Sequence, residues 1–358
     1  MKLLREGFSR RILTLVFSIF SLLLITGCPA WFTNRWWQVY FTTPGSENNQ
    51  IQDKLVQLIE KAQTSIHIAA FEFNLDPIAD ALVKAKQRGV EVKWVTDDEH
   101  GLAADLEKGH GQFAKLKKAG IKVKNDARSG LMHNKFVIID SQTVWTGSTN
   151  LTINGTQRNN NNVIVMRSPE VAAIYEKEFQ EMWGGKFGKG SPSTVAQQKV
   201  IVNDTPISVL FGSEDDVADA LTRLISNTKS DVKFMSFSFT HDDMGKAMLA
   251  KANQGVRVQG IFETRGSQTQ FSELPRLFCQ GIPVRQDGNP RTLHHKVIVL
   301  DKETVITGSF NFSNNANQRN DENVVILDNP GIAKLYLQEF ERRWEEGKRP
   351  DKAKLNCP

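Results

Sequence analysis

The chain carries most of its own sequence twice. "SIHIAAFEFN" from Ser65 is matched by "DVKFMSFSFT" from Asp231, and "KAKQRGVEVKWV" from Lys84 by "AKANQGVRVQGI" from Ala250. "VWTGSTNLT" from Val144 is matched by "VITGSFNFS" from Val305, and "IYEKEFQEMW" from Ile174 by "LYLQEFERRW" from Leu335. The offset is 166 at Gly89 and Gly255 and 161 from Gly120 and Gly281 onward, so the first copy holds five extra residues between Asp98 and Leu116. Units this long are duplicated domains, since solenoid repeats run ~20–50 residues. A chain of 358 residues has room for two such bodies.

Within each copy, strand and helix signals alternate. "IHIAAFEF" is β-rich; "DPIADALVKAKQRG" follows with helical spacing and a Gly stop; "VEVKWV" is a strand, and a helical stretch runs through Lys118. "KFVIID", "VWTGS" and "NVIVM" read as buried strands, and a helix from about Pro169 to Trp183 closes the copy. This predicts two tandem α/β sandwich domains, each with a mixed, largely parallel sheet. The expected bounds are 38–184 and 200–347, joined by a Gly-, Ser- and Pro-rich linker at 185–199 and followed by a tail at 348–358.

One octapeptide pair carries the chemistry. "HNKFVIID" from His133 and "HHKVIVLD" from His294 both read His-x-Lys-(x)4-Asp, and each is followed by Gly-Ser-x-Asn. Side chains two apart on a strand share a face. His133 therefore points with Lys135, and His294 with Lys296, while Asp140 and Asp301 fall on the opposite parity and read as anchors. The same parity groups Ser148 with Asn150 and Ser309 with Asn311. An imidazole, an ammonium, a hydroxyl and a carboxamide suit a phosphate: donors for its oxygens, plus a nucleophile or acid. A satisfied core histidine is the ordinary reading of one such residue, and fails for two in identical settings. His295, on the other face of its strand, is structural or at most rim.

These paired motifs resemble the phospholipase D superfamily, the HKD phosphodiesterases, over nearly all of 39–344. The resemblance implies two α/β domains related by a pseudo-two-fold axis, with both motifs in one cleft. Its catalytic set maps onto His133, Lys135, Asp140, His294, Lys296 and Asp301, with Ser148, Asn150, Ser309 and Asn311 around the phosphate. Duplication would then supply a nucleophile on one side of phosphorus and an acid on the other. No cofactor is implied and no metal, because the two lysines provide the charge a metal would.

The copies differ 28 residues after each histidine, where Glu322 aligns with Asn161. The resemblance implies that this position supports the ring of its own motif's histidine. A carboxylate raises an imidazole's pKa, and an amide orients it without adding charge. On that pairing His294 with Glu322 is the general acid, and His133 with Asn161 is the nucleophile.

The substrate stays open between a phospholipid and a nucleic acid, with phospholipase D-type hydrolysis preferred, a metal-independent nuclease as the alternative and a binding-only pseudoenzyme as a minor one. The net charge of +5 includes a local +3 in residues 1–27, so it argues weakly for nucleic acid. Lys108, Lys115, Lys117, Lys118, Lys122, Lys124 and Arg128 form either a phosphate track or a solvated helix face with a lysine-protected edge strand. Basic residues up to Arg11 and a 14-residue apolar run from Ile12 to Ile25 read as an export signal, too short for a span of ~20 residues. The run ends in "ITGC", which resembles a lipoprotein cleavage box and would make Cys28 the lipidated anchor of an exported, membrane-bound bacterial lipoprotein; a secreted or periplasmic protein is the alternative. Trp31, Trp36 and Trp37 either rest on lipid or begin the first strand. Cys279 and Cys357 would be free to pair in an oxidising setting, although Cys357 lies on a tail expected to fray. The oligomeric state is not encoded in any of these features.

Overall fold

The computed structural model describes residues 35–45, 49–191, 198–355 and 357. Cys28 and Trp31 lie outside the described residues, as do 192–197 of the expected linker. Trp37–Pro358 form one compact unit.

The first copy runs β1 (Trp37–Phe41), α1 (Gln50–Lys61), β2 (Ser65–Ala70), α2 (Asp76–Gln87), β3 (Glu91–Thr96), α3 (Gln112–Lys118), β4 (Lys122–Asn125), β5 (Lys135–Ile139), β6 (Thr143–Gly147), β7 (Asn162–Arg167) and α4 (Pro169–Trp183). The second runs β8 (Lys199–Val202), β9 (Thr205–Phe211), α5 (Val217–Asn227), β10 (Asp231–Ser236), α6 (Asp242–Asn253), β11 (Arg257–Phe262), α7 (Glu273–Cys279), β12 (Val284–Gln286), β13 (Lys296–Leu300), β14 (Thr304–Gly308), α8 (Asn314–Gln318), β15 (Asn323–Asp328) and α9 (Pro330–Glu346).

The sheet orders are β1-β7-β6-β5-β2-β3-β4 and β12-β11-β10-β13-β14-β15-β9-β8. Both are mixed, but the expectation of a largely parallel sheet is corrected. Parallel pairing is confined to β2–β3–β4 and β10–β11–β12, and every other ladder is antiparallel. Only the strands separated by helical crossovers can run parallel; β5 and β6 are joined by three residues, a link that closes only a hairpin.

Period-two alternation splits each strand between two cores. Ile66, Ile68 and Ala70 of β2 join Leu55, Leu82 and Phe113 of the outer helices. His67, between them, faces α4, where its ring stacks on Phe179 at 4.6 Å and bonds Glu176. The closing helices start where their caps require. Ser168 accepts from the Val171 amide, Asn329 accepts from Gly331 and Ile332, and a proline follows each cap. Trp37 is 8% exposed and pairs with Met166, so it begins a strand and does not rest on lipid.

The chain end does not fray as expected. Gln286 and Lys348 exchange backbone hydrogen bonds of 2.8 and 2.7 Å, Leu355 is buried, and Cys279 and Cys357 form a disulfide. Among the described residues no helix is long and apolar enough to cross a membrane.

Candidate functional site

Two short bridges between the copies assemble the site. Met132 pairs with Asp321 and Leu293 with Asn160, each one residue before a motif histidine or a position 28 residues beyond one. The amide of His133 bonds the Asp321 carbonyl and the amide of His294 bonds the Asn160 carbonyl, both at 2.9 Å. Each motif thus enters its strand pinned to the other copy.

That crossing overturns the expected ring partners. Glu322 does not hold His294. Its carboxylate accepts from Nδ1 of His133 at 2.8 Å, and Asn161 Oδ1 lies 2.9 Å from Nδ1 of His294. The Ser148 carbonyl also faces His294 Nδ1, at 3.0 Å. Both partners of that nitrogen are acceptors, so it carries the hydrogen and Nε2 is left for chemistry. The exchange has a simple cause: the bridges set each position beside the foreign histidine, a contact across 189 residues for His133.

The charges converge on one buried volume. Lys135 and Lys296 are 0% and 1% exposed, and each Nζ bonds the carbonyl of its own motif's histidine, at 2.7 and 2.9 Å. Burial pushes Lys135 down to about 8 and, with the charge of Lys135, holds Lys296 well below the ordinary ammonium range. Burial and the two lysines hold both imidazoles well below theirs. Burial also pushes Glu322 up to about 7. Glu322 is the carboxylate acting on both ammoniums, with Glu72 and Asp97 also acting on Lys135, and the two lysines face the place where a phosphodiester monoanion would bind.

The remaining expected residues divide. The amide of Asn150 donates to Glu72 at 2.7 Å, and the Oδ1 atoms of Asn150 and Asn311 are buried without a donor. Ser148 and Ser309 are corrected from phosphate ligands to supports. Both are 0% exposed; Ser148 Oγ donates to Asn161 at 2.8 Å and accepts from the Asn162 amide, while Ser309 Oγ accepts from the Asn323 amide and bonds Glu322. Strand parity ends at Gly147 and Gly308, whose φ values near 150° turn the chain, so the Ser-x-Asn face does not exist. Asp140 and Asp301 are corrected from the catalytic set to anchors. Asp140 accepts from the amides of Gln63, Thr64 and Ser65, and Asp301 from those of Lys229, Ser230 and Asp231. Each sits five residues beyond its lysine, roughly 16 Å along the strand.

With this geometry, comparison with known proteins decides the family. The family described as "Cardiolipin synthase, PLD-like domain" matches residues 55–183 and again 221–344, well over half of the chain. The chain belongs to the phospholipase D superfamily. It is 35% identical over 134 residues to mouse mitochondrial cardiolipin hydrolase, covering 37% of this chain and 60% of that protein. It is 30% identical over 137 residues to phospholipase D of Rickettsia conorii, covering 38% of this chain and 68% of that one. The chain thus spans about 60% of the length of the cardiolipin hydrolases of mouse and Xenopus tropicalis. The fold is that of the phosphatidylserine synthase of Haemophilus influenzae, with a TM-score of 0.65 over 86% of both chains at 15% identity. Nuc of Salmonella typhimurium, a phospholipase D family member, is 34% identical over 40% of this chain and 97% of its own, with a TM-score of 0.36.

Four residues of this phospholipase D-like site, Phe71, Phe237, Asn162 and Asn323, lie outside the motifs read from the sequence. Phe71 sets its ring 4.8 Å from that of His133 and 5.0 Å from Lys135 Nζ; Phe237 does the same for His294 at 4.9 Å and Lys296 at 4.7 Å. Both are offset by 166, a signal already present in the repeat. Asn162 and Asn323 latch the copies together: Oδ1 of each accepts a threonine hydroxyl from the other copy, at 2.7 and 2.8 Å. Arg128 crosses to Asp321 in an ion pair. His295 is fully buried between Glu339 and Asn162, the structural role expected of it.

Proposed function

We propose that the chain is a phosphodiesterase of phospholipase D type that hydrolyses phospholipid headgroups through a phosphohistidine. His294 takes up a proton on Nε2 as the phosphodiester monoanion enters; His133 Nε2 then attacks phosphorus, and the bond to the headgroup oxygen breaks as His294 delivers that proton to it. Water then attacks phosphorus and gives its proton back to His294, and the P–N bond breaks to release phosphatidic acid. Lys135, Lys296, Asn150 and Asn311 hold the phosphoryl oxygens. Phosphorylation makes the ring cationic, and Glu322 is the carboxylate placed to stabilise that charge.

The observation that carries the lipid reading is an apolar rim. Among the described residues, five large apolar side chains are exposed: Leu106, Ile153, Ile201, Phe237 and Phe271. Leu106, Ile153, Phe237 and Phe271 lie in the connections that follow β3, β6, β10 and β11, and Phe237 packs on His294. A rim of this kind suits insertion at a bilayer surface. The basic cluster supports nucleic acid less than its sequence implied. β4 is an edge strand bearing Lys122 and Lys124, Lys115 pairs with Asp80, and Arg128 is committed to Asp126 and Asp321. A lipidated Cys28 would hold the rim at a membrane, and the Cys279–Cys357 disulfide suits an exported chain.

The test gives the full chain phosphatidylcholine vesicles, cardiolipin vesicles and single-stranded DNA side by side, with EDTA present at room temperature. Release of phosphatidic acid or its cardiolipin counterpart is expected, with loss of turnover in His133→Ala. DNA cleavage with intact lipid would replace the lipid reading by the nuclease. Equal rates for wild type and His133→Ala on an aryl phosphodiester would leave a binding-only protein.

A further inference from the structure

The repeat places Glu178 of α4 opposite Glu339 of α9, and the two carboxylates are compensated differently. Glu339 is 1% exposed and compensated by two guanidiniums and a ring nitrogen: Arg343 Nε at 3.2 Å, Arg342 at 2.5 Å and His295 Nε2 at 3.2 Å. The first copy has Asn134, Glu181 and Met182 at those three positions. Glu178 is nevertheless just as deep, at 2% exposed, and its Oε2 has no hydrogen-bond donor.

Glu178 instead meets two more carboxylates. One oxygen each from Glu178, Glu181 and Glu214 lies within 4.8 Å of the other two. Glu214 arrives from the loop between β9 and α5, and its buried Oε2 also lacks a donor. Ser191 Oγ lies 2.7 Å from Glu181 and bonds Glu214 as well, although one hydroxyl hydrogen can serve only one of them. The other acids nearby are committed: Asp215 accepts from the Phe211 amide and Asp321 pairs with Arg128. The charges acting most strongly on Glu178 are those of Glu214, Asp321, Glu181 and Asp215, all negative.

We propose that Glu178, Glu181 and Glu214 bind a calcium ion that clamps α4 of the first copy to the β9–α5 loop of the second. The site is separate from the histidine chemistry. Its ligands are hard oxygens, which exclude the softer metals in favour of Ca2+ or Mg2+. Oxygens on opposite sides of Ca2+ stand roughly 4.6–5.2 Å apart, so separations of up to 4.8 Å need no movement, whereas Mg2+ would draw them within about 4.2 Å and retain several waters. The ion does for Glu178 what His295, Arg342 and Arg343 do for Glu339.

The experiment strips the full chain in detergent micelles with chelator, then measures 45Ca2+ by equilibrium dialysis and the Tm with and without Ca2+. One bound calcium per chain is expected, with a Tm raised by several degrees in Ca2+ and much less in equal Mg2+, and both effects lost in Glu214→Gln. Glu181→Arg places at this position the cation that Arg342 supplies in the second copy. It should keep its fold without calcium, bind none, and melt independently of Ca2+, which preserves the test if Glu214→Gln does not fold. A wild-type protein that binds no calcium, and whose Tm rises only on acidification, would show that a proton holds the cluster and overturn the proposal.

Discussion

Glu322 of the second copy holds Nδ1 of His133, 189 residues earlier in the chain, at 2.8 Å, while its aligned counterpart Asn161 holds His294 at 2.9 Å. The two halves therefore exchange their ring supports, and only one exchange carries a charge. Glu322→Gln keeps an oxygen for the Nδ1 hydrogen and removes the charge. Turnover of an aryl phosphodiester should fall roughly 10²–10³-fold with the Tm little changed. An unaltered rate would reduce Glu322 to a packing residue.

The same pair predicts a pH profile. Burial pushes Glu322 up to about 7, so below that value it is protonated and stops stabilising the cationic phosphohistidine. Burial pushes Lys135 down to about 8, so above that value the ammonium no longer faces the phosphoryl oxygens. kcat/KM should therefore rise through 7 and fall through 8. Glu322→Gln should abolish the acid limb, and Lys135→Arg together with Lys296→Arg should abolish the alkaline one, since a guanidinium stays charged. A profile flat across both values in the wild type would refute the assignment.

The sequence made some of this legible and hid the rest for identifiable reasons. The duplication, the strands around "KFVIID" and "KVIVLD", and the bounds of α4 were readable, because periodicity and caps are local. The location of Asp140 away from the chemistry followed from strand parity alone. The Ser148 reading failed because parity was extended past Gly147, where the strand has ended. The Glu322 reading failed because nothing local tells which histidine a residue will face once two halves dock. Strand signals carry no direction, and the three-residue β5–β6 and β13–β14 links were the cues to the antiparallel share of the sheets.

Asp140 provides a test of anchor against catalyst. Its carboxylate accepts from the amides of Gln63, Thr64 and Ser65 at φ 53°, a backbone setting that asparagine also tolerates. Asp140→Asn should cost roughly 1 kcal/mol of stability, at the low end because the group is largely solvated, and leave kcat/KM within about twofold. Burial tends to raise its pKa, but the backbone amides prevail and hold it below the usual value. The stability it gives is therefore present above the unfolded carboxylate pKa and lost as pH falls through the lower folded value, so wild type and variant should converge in acid. A large loss of turnover in a well-folded variant would return Asp140 to the catalytic set.

The rim separates lipid from other diesters. Leu106, Phe271 and Ile153 are 91%, 71% and 39% exposed, and Ile153 follows Asn150 by three residues. Exposed apolar groups this large gain nothing from water, and each contributes up to about 1.5–3 kcal/mol if a bilayer buries it fully. Partial immersion of three still gives tenfold or more in surface affinity, since ~1.4 kcal/mol is a factor of ten. Replacing Leu106, Ile153 and Phe271 together by serine should thus cut vesicle turnover at least roughly tenfold while the soluble aryl diester is hydrolysed at close to the wild-type rate. Phe237 is left in place because it walls His294. Equal losses on both substrates would mean that these loops shape the catalytic cleft itself, and no loss on vesicles would remove the reason for preferring a lipid.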